Sequence, residues 1–315
     1  MIKKTLYFGN PAYLSLRNKQ LVIRLPEIEK SKGLPDIIKK ESVRTIPIED
    51  IGMVVLDNRE ITITEGVIAA LLDNTAAVIT CNEKRMPTGL LLPLEGNTLQ
   101  NERFRSQIEA SVPLKKQLWQ QTIKAKIENQ AWLLSKNSPK SVACLFAMAR
   151  DIKSGDSDNF EAQAAVYYWK YIFQNIPNAI PDFKRDPEGT YPNNLLNYGY
   201  AILRATVARA LVMSGLLPVA GIHHHNKYNA YCLADDIMEP YRPFVDQLVI
   251  SIIGQTEPTE SLTKDLKAQL LSIPTLDVKI GGKRSPLMIA VAQTTASLAK
   301  CFNGEIRKIA YPTLS

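Results

Sequence analysis

Residues 193–243 read NNLLNYGYAILRATVARALVMSGLLPVAGIHHHNKYNAYCLADDIMEPYRP, and this stretch decides the class of fold. Apolar side chains recur at helical spacing from Asn194 to Met213 and again from Leu233 to Ile253, where Pro240 and Pro243 interrupt the pattern. Further helical patterns stand at 98–111, 114–136, 159–174 and 285–301. The sequence therefore predicts a helical region from 96 to 315, with Pro-, Gly- and Asn-rich loops between its helices.

Residues 1–95 have a different pattern, which is mainly that of short strands. From Tyr13 to Leu25, apolar residues alternate on both sides of Asn18–Lys19, as expected for a β-hairpin. Buried strands are predicted at 51–58 and 76–82, a strand leading into a short helix at 61–74, a polar loop at 26–42, and an exit from the region at 86–97. We therefore predict an α+β protein with a small β-rich domain, 1–95, and a larger all-α domain, 96–315.

The chain has 315 residues, of which 45% are hydrophobic and 22% charged, and it carries a net charge of +7. This balance is typical of a globular protein with a substantial core. The basic charge fits either a mildly basic enzyme or a nucleic-acid-binding protein. Lysines that recur along one predicted helical stretch form either a solvated face or a phosphate-binding surface; they are Lys115, Lys116, Lys124, Lys126, Lys136 and Lys140.

The cysteines and the N-terminus bear on the compartment. Cys81, Cys144, Cys232 and Cys301 lie far apart with no C-x-x-C pair, so each is interpreted as a small buried residue rather than a ligand. No apolar signal region and no run of about 18 apolar residues is present. The expectation is a soluble cytoplasmic protein without a membrane partner.

All three histidines stand in one run, His223 to His225, and the acids Asp235, Asp236 and Glu239 follow closely. Imidazoles and carboxylates are ligands for divalent metals, and residues three or four apart on a helix share a face. Adjacent histidines cannot all face one point, so at most one or two act together. The alternatives are a solvated acidic helix face and a loop histidine bonded to nearby backbone.

A further acid lies upstream, in the segment DNFEAQAAVYYWKYIF. Either Asp158 or Asn159 is expected to cap this helix, which places Glu161 in the first turn among alanines. Small neighbours leave room for a second helix or a DNA strand to approach. The alternative is a glutamate favoured only by the helix dipole.

Taken together, these segments resemble the family of the CRISPR adaptation integrase, the first Cas protein, over the whole chain. The resemblance rests on 44–74 and 86–111 for the β-domain and linker, on NFEAQAAVYYWK for the helix of the first acidic ligand, and on 193–243 for the longest signature. It is strongest with the branch that accompanies a single large RNA-guided nuclease, the type II systems.

The resemblance implies a set of metal ligands. Glu161 corresponds to the first acidic ligand, and Glu239 corresponds to the last. The family's histidine follows a Gly-x-x position, which falls on His224, fifteen residues before Glu239. Asp235 and Asp236 are candidates for a supporting role, whereas His223 and His225 depart from the family in composition.

The resemblance also implies the chemistry and the partners. The 3′-hydroxyl of a protospacer would attack a phosphodiester at the repeat boundary, with Mg²⁺ or Mn²⁺ as cofactor. The implied partners are double-stranded DNA (prespacer and CRISPR array), a second copy through the β-domain, a small second Cas protein and the RNA-guided effector nuclease.

Other residues are secondary candidates. Asn194 and Asn197 would orient the ligands or hold phosphate, although Asn194 is equally suited to cap its helix. Arg242 would pair with the acids or contact phosphate. Tyr168 and Trp169 are expected in packing rather than DNA stacking. Two basic pairs in predicted loops, Lys184 with Arg185 and Lys283 with Arg284, are candidate phosphate contacts.

Two other functions use the same residues. A metal-dependent nuclease would have the same ligands, with water in place of the 3′-hydroxyl. A non-catalytic DNA-binding scaffold would use the acids structurally, which the order and closeness of the ligand-type residues disfavour.

Overall fold

The computed structural model describes residues 2–26, 43–259 and 261–314. The chain divides into two compact units, Met1–Gly96 and Asn97–Ser315. Apart from Pro26, the predicted polar loop at 26–42 lies outside the described residues.

The N-terminal unit contains two sheets and a helix. Its described elements are β1 Lys4–Phe8, β2 Ala12–Arg17, β3 Gln20–Arg24, β4 Arg44–Pro47, β5 Ile51–Leu56, β6 Ile61–Ile63, α1 Glu65–Asp73, β7 Ala77–Cys81 and β8 Pro87–Leu91. One sheet has the order β1-β5-β7-β8, and the other has the order β4-β3-β2-β6. The first three strands of the first sheet are parallel, and β8 joins β7 antiparallel.

The predicted hairpin is confirmed. β2 and β3 pair antiparallel and end on the pair Arg17↔Gln20. The two residues between them, Asn18 and Lys19, have φ of 50° and 58°. Positive φ at both positions is the mark of a type I′ turn, whose twist matches that of the strands it joins.

The prediction of a simple exit at 86–97 was wrong, because β8 pairs with β7 there. Pro87 is the first residue of this edge strand, a position where its missing N–H costs no ladder bond. At Gly89 a Cβ would overlap Thr80 Oγ1 on β7, so glycine permits the close pairing. Pro and Gly therefore mark a strand here rather than its absence.

Residues of both sheets and of α1 form the core of the N-terminal unit. Members include Leu14, Leu21, Ile51, Val54 and Leu71, all 2% exposed or less. Strand alternation brings these side chains to the inner faces, and burial of such aliphatic groups supplies most of the stabilisation.

The C-terminal unit is mainly helical. Its described elements are α2 Gln100–Ile108, α3 Val112–Asn137, α4 Ala143–Asp151, α5 Phe160–Tyr171, α6 Asn193–Met213, α7 Cys232–Met238, α8 Arg242–Ile253, α9 Lys264–Leu270, β9 Asp277–Ile280, β10 Lys283–Pro286 and α10 Leu287–Phe302. None of the helices in the three described ranges is long and apolar enough to cross a membrane.

The expectation of an all-α region was wrong at its C-terminal end, where β9 and β10 form an antiparallel hairpin. Gly281 and Gly282 connect the two strands with φ of 57° and 78°. The strands are four residues long, and both carry charged side chains on exposed positions. Such short strands have too few apolar positions to give a period-two signal.

Two long helices organise this unit. α3 packs against α4, α5, α7 and α8, and α6 packs against α7, α8, α9 and α10. On α3, the polar residues Thr122, Lys126, Asn129 and Gln130 are buried beside the apolar ones. A central helix that is buried on several sides must satisfy its polar groups within the protein.

The predicted interruption of the helical pattern at 233–253 is confirmed. α7 ends at Met238, a 3₁₀ turn covers Glu239–Tyr241, and α8 begins at Arg242. Pro240 has no N–H to continue the ladder, which explains the break. Glu239 thus lies in the turn, between two helices that pack on α3.

The expectation that every cysteine is buried was wrong for Cys144, which is exposed. Cys232 and Cys301 are buried and Cys81 is intermediate. All four are free thiols.

Candidate metal centre

Two of the three predicted ligands meet at one ammonium group. Lys126 Nζ on α3 lies 2.5 Å from Glu161 Oε1 on α5 and 2.6 Å from Glu239 Oε2 in the 3₁₀ turn. These two oxygen atoms are therefore at most 5.1 Å apart, the sum of both distances. Residues separated by 78 positions in the chain are brought together because α3 packs against both of their elements.

The cluster is deep on one side and open on the other. The side chains of Lys126 and Glu239 are each 7% exposed, whereas that of Glu161 is 33% exposed. Lys126 therefore does not belong to a solvated face or a phosphate-binding surface, as the lysine pattern had suggested. Solvent therefore reaches the cluster from the side of Glu161.

Charge pairing decides the protonation of the buried members. Burial alone would lower the pKa of Lys126, but the charges of Glu239 and Glu161 outweigh it and hold the pKa above the usual lysine value. Burial would raise the pKa of Glu239, but Arg242 and Lys126 hold it below the ordinary glutamate value. The predicted pairing of Arg242 with the acids is observed, since its Nε lies 2.8 Å from Glu239 Oε1.

His224 is held by the supporting acid Asp236. His224 Nδ1 lies 2.5 Å from Asp236 Oδ1, and the Asp236 carboxylate also accepts the backbone N–H groups of Ile222, His223 and His224. The hydrogen bond to Asp236 raises the pKa of His224 above its usual value, against the effect of burial. With Nδ1 directed to Asp236, the neutral ring presents Nε2 as its ligand atom.

Gly221 allows the backbone to wrap around Asp236 so closely. A Cβ at this position would meet His224 O and Asp236 Oδ2 inside van der Waals contact. The glycine of the predicted Gly-x-x-His pattern thus allows the close backbone approach at the start of residues 221–229, which we call the histidine segment.

His223 faces a different neighbour. Its ring lies parallel to that of Trp119 on α3, with 4.1 Å between ring centroids and 2° between planes, while His224 approaches the same indole edge-on at 5.7 Å. Burial, and then the charge of His224, lowers the pKa of His223. The two rings stand 5.2 Å apart at 86°, so one is held by a carboxylate and the other by an aromatic face.

Asp235 has other partners than His224, and one of them is Asn229, at the other end of the histidine segment. It accepts hydrogen bonds from Arg204 Nε at 2.6 Å and from Asn229 Nδ2 at 2.7 Å. Asp235 and Asp236 are adjacent in the short helix α7, so they anchor the segment on both sides.

The helix that carries Glu161 is capped by a residue that the sequence did not single out. Asp156 accepts the N–H of Phe160 and of Glu161, each at 2.9 Å. The expected caps do not supply these hydrogen bonds. Asp158 pairs with Lys153 at 2.9 Å, and Asn159 occupies the N-cap position without a side-chain cap hydrogen bond. A turn with two positive-φ residues, Asp156 and Asn159, carries the carboxylate back to the helix start.

A further buried acid of this unit is Asp246 on α8. Its carboxylate accepts hydrogen bonds from Tyr168 at 2.8 Å and from Tyr200 at 2.5 Å. Burial raises the pKa of Asp246 to about 6, although both tyrosines and the nearby Arg242 and Arg185 oppose this. Arg242 connects the two groups, because its guanidinium also lies 4.6 Å from the centroid of the Tyr200 ring.

The secondary candidates Asn197 and Arg185 bond to each other. Arg185 donates to Asn197 Oδ1 at 2.6 Å and to Asn193 Oδ1 at 3.0 Å, and its guanidinium lies 5.3 Å from the Tyr200 ring centroid. Asn194 lies in the first turn of α6 rather than before it, so it is not the cap; its amide approaches Thr259 O at 3.5 Å. These residues fix the loop at 184–189 next to the centre.

The remaining candidates fall in three places. Lys184 lies in the predicted loop, and its carbonyl accepts from Asn193 at 3.0 Å. Lys283 and Arg284 are in strand β10, which corrects their placement in a loop, and Arg284 pairs with Asp277 at 3.1 Å. Tyr168 is buried, and Trp169 packs against Phe173 and Phe183, as expected for packing residues.

The donor set fits a divalent ion by its chemistry. Within the described ranges, the buried atom Glu239 Oε2 has no hydrogen bond of good geometry, only its charge contact with Lys126. Two carboxylates and an imidazole oriented by a carboxylate are suitable ligands for Mg²⁺ or Mn²⁺. Among the residues that the structure describes, however, no three His, Cys, Asp or Glu side chains are arranged closely enough to hold a metal. Lys126 Nζ lies between the two glutamates.

Sequence reasoning missed Lys126, Trp119 and Asp246 as neighbours of the centre. Lys126 was part of a lysine pattern, and helical spacing places it one turn after Ile123 of the apolar stripe. A lysine on an apolar stripe is a signal for a buried partner of opposite charge. Nothing in the local sequence identifies that partner as Glu161 and Glu239.

Comparisons with known proteins agree on one family. The model of the family "CRISPR associated protein Cas1" matches residues 6–275. The "CRISPR-associated endonuclease Cas1" of Neisseria meningitidis serogroup C (strain 8013) is 33% identical over 303 residues, which cover 94% of this chain and 91% of the relative.

Two solved structures have the same fold at low sequence identity. A "Casposase bound to integration product" matches with a TM-score of 0.77 at 20% identity, over 98% of this chain and 92% of the other. A "Cas6-RT-Cas1--Cas2 complex" matches with a TM-score of 0.75 at 18% identity, over 99% of this chain and 36% of the other. With the family match over residues 6–275 and a relative that is 33% identical over nearly the full length, the chain belongs to the CRISPR-associated Cas1 family.

Proposed function

We propose that this protein is the integrase of CRISPR adaptation, which joins protospacer 3′-hydroxyl ends to the CRISPR repeat by transesterification. Membership of the Cas1 family supports the reaction class. The observation that carries the proposal is the convergence of Glu161 and Glu239 on one cation, Lys126 Nζ, beside a histidine that Asp236 orients. Such a centre suits chemistry on a phosphodiester, where negative charge develops on phosphoryl oxygens.

Glu161, His224 and Glu239 would hold the divalent ion, Mg²⁺ or Mn²⁺. When bound, the ion supplies Lewis-acid stabilisation of the phosphoryl oxygens and alignment of the attacking and leaving oxygens. The half-exposed side chains of Glu161 and His224 face the solvent side, from which DNA would approach. Glu239 is the buried anchor, kept ionised by Arg242 and Lys126.

The other residues have positioning roles in this proposal. Asp236 would keep the proton of His224 on Nδ1 and so leave Nε2 for coordination. Asp235 and Arg204 would hold the far end of the histidine segment, and Asp156 would fix the first turn of α5. No protein nucleophile is required, because the DNA hydroxyl is the attacking group.

DNA cleavage is the second candidate activity, and the printed name of the Neisseria relative, an endonuclease, favours it. The same three ligands would serve, with a water molecule attacking in place of the 3′-hydroxyl. We propose that both reactions occur at one centre, which separate substrates would distinguish.

The proposed partners follow from charge and from the structural relatives. A net charge of +7 favours association with double-stranded DNA, both prespacer and array. The printed title of one structural relative, the Cas6-RT-Cas1--Cas2 complex, supports a small second Cas protein as a partner. A homodimer through the β-rich unit, docking of the RNA-guided effector nuclease, and DNA contacts by Lys184, Arg185, Lys283 and Arg284 remain part of the proposal.

An integration assay tests the function. The protein is incubated with a duplex that has free 3′ ends and a repeat-bearing plasmid, with Mg²⁺ or Mn²⁺ and with or without the small partner. Joined products are expected from the wild type. Glu161→Gln, His224→Ala and Glu239→Gln should each reduce joining at least ~100-fold, since metal catalysis supplies several kcal/mol of stabilisation.

The control is Glu128→Gln, which removes an exposed carboxylate from α3, the helix that carries Lys126. It should join at the wild-type rate, and all variants should retain DNA binding. Cleavage without joining would favour a nuclease alone. Joining at the wild-type rate by any ligand variant would refute the assignment of that residue. If neither the metal nor any variant changes DNA processing, the protein is a non-catalytic DNA-binding scaffold.

A further inference from the structure

The ammonium group of Lys126 lies at the point where two acidic side chains meet. Its contacts with Glu161 and Glu239 are 2.5 Å and 2.6 Å, and the residue is only 6% exposed. A charged group is this deeply buried only when it is paired. The ammonium group of Lys126 therefore occupies the cation-binding position between the carboxylates of Glu161 and Glu239.

Both oxygen atoms of Glu239 are in contact with positive charges. Oε1 faces Arg242 at 2.8 Å, and Oε2 faces Lys126 at 2.6 Å. A divalent ion held by Glu161 and Glu239 would need the carboxylate oxygens that Nζ now contacts. The ammonium group and the ion repel each other, so they cannot share this pair of oxygens.

The charge balance explains what Lys126 does for the two glutamates. Glu161 and Glu239 have oxygens at most 5.1 Å apart, and like charges at such a distance repel strongly when partly buried. Arg242 compensates Glu239 from the opposite side. Lys126 is the cation that touches both carboxylates, and it keeps them close to each other.

We propose that Lys126 is an exchangeable counter-cation, which holds Glu161 and Glu239 together and must leave this pair of oxygens when a divalent ion binds. The inference rests on the proposed function, because it takes both glutamates as metal ligands. Lys126 is a positioning residue in this view. Its charge opposes the incoming ion, so it weakens metal binding and limits loading of the centre at low metal concentration.

The first test measures Mn²⁺ affinity of the full chain by electron paramagnetic resonance. Lys126→Met removes the charge and keeps most of the side-chain volume, and Lys126→Gln keeps a hydrogen-bonding group without charge. Both are expected to lower the Kd for Mn²⁺ at least about tenfold, because a repelling charge within a few ångströms is removed. An unchanged or higher Kd in both variants overturns the proposal.

A matched control is available on the same helix. Lys124 is exposed, with its Nζ 4.0 Å from Glu128. Lys124→Met changes the net charge by the same amount and should leave the Kd for Mn²⁺ at the wild-type value. An equal gain in affinity from Lys124→Met would show that bulk charge, not the position of Lys126, is responsible.

The second test needs no variant and therefore does not depend on the folding of a mutant. An amine-labelling reagent is applied to the wild-type protein with and without Mg²⁺, and the modified lysines are identified by mass spectrometry. Labelling of Lys126 should rise several-fold with Mg²⁺, while labelling of Lys124 stays constant. Labelling of Lys126 that is unchanged by saturating Mg²⁺ contradicts the exchange.

The outcomes separate this inference from the proposed function. If wild-type protein binds no Mn²⁺, both fail. If it binds Mn²⁺ and Glu239→Gln abolishes binding while the Lys126 variants keep the wild-type Kd, the metal centre stands and the exchange alone is overturned.

Discussion

Asp246 is an acid with no aqueous surroundings, because Tyr168 and Tyr200 cover its two oxygens. It is 1% exposed and lies one helical turn beyond Arg242. Its pKa of about 6 is higher than that of an aspartate in an unfolded chain, since burial penalises the charged form. The folded protein therefore holds this proton more tightly than the unfolded one does.

This shift predicts how stability changes with pH. The contribution of Asp246 is largest below the unfolded pKa and is lost as the pH rises through about 6. Asp246→Asn cannot titrate. The free energy of unfolding of the wild type, relative to this variant, should fall by about 2 kcal/mol from about pH 4.5 to about pH 7.5. Urea unfolding at four pH values checks this, and a pH-independent difference would contradict it.

At the residue scale, the sequence indicated which acids and histidines lie together better than it indicated which other residues contact them. Glu161 and Glu239 meet at one point, and Asp236 supports His224 through its side chain, while Asp235 faces Arg204 instead. Whether these residues bind metal stays a prediction. The role of Lys126 was not predicted, because its ion pairs with Glu161 and Glu239 depend on tertiary packing. Local sequence patterns do not contain that information.

At the scale of elements, the start of α5 depends on a single carboxylate. Asp156 has a φ of 52° and accepts two N–H groups of the first turn, including that of Glu161. These groups have no partner inside the helix, so the cap also fixes the direction of the Glu161 backbone.

Asp156→Ala should destabilise the protein by about 2 kcal/mol, from the lost cap and from alanine's poor fit to a positive φ. Amide hydrogen exchange at Glu161 should become faster than in the wild type. The matched control is Asp158→Ala, which removes only an exposed ion pair with Lys153 and should cost less than ~0.5 kcal/mol. Urea unfolding measures the free energy of unfolding of both variants. Equal losses in the two variants would show that Asp156 is not the cap.

The elements that the sequence predicted best have either a strong period or a defined turn. The hairpin around Asn18–Lys19 and the break at Pro240 are of this kind. β8, β9 and β10 were missed because they are short edge or hairpin strands rich in Pro, Gly and charge. The helices α4 and α9, of nine and seven residues, were also missed.

At the scale of the whole molecule, each of the two units has its own core. The N-terminal unit is built around two sheets whose outer strands are β1 and β8 in one and β4 and β6 in the other. Outer strands carry backbone groups that pair readily with a second chain. The C-terminal unit contains the entire candidate metal centre, from Trp119 to Arg242.

The division predicts different behaviour for the separated units. Residues 97–315 expressed alone should unfold cooperatively and bind Mn²⁺ with the Kd of the full chain, because every candidate ligand lies within them. By sedimentation, the full chain should be a dimer and the 97–315 fragment a monomer. A dimeric fragment would place the interface in the helical unit instead.

The parallel stack of His223 on Trp119 has an optical consequence. An imidazole in face contact with an indole quenches the fluorescence of the indole, most strongly when the imidazole is protonated. Trp119 has this contact and is only 3% exposed. Because the ring of His224 touches the same indole, intrinsic fluorescence should respond whenever the histidine segment shifts. Trp119 is thus an intrinsic fluorescent reporter of the candidate metal centre that needs no attached dye. Comparison with Trp119→Phe separates the fluorescence of Trp119 from that of Trp132 and Trp169.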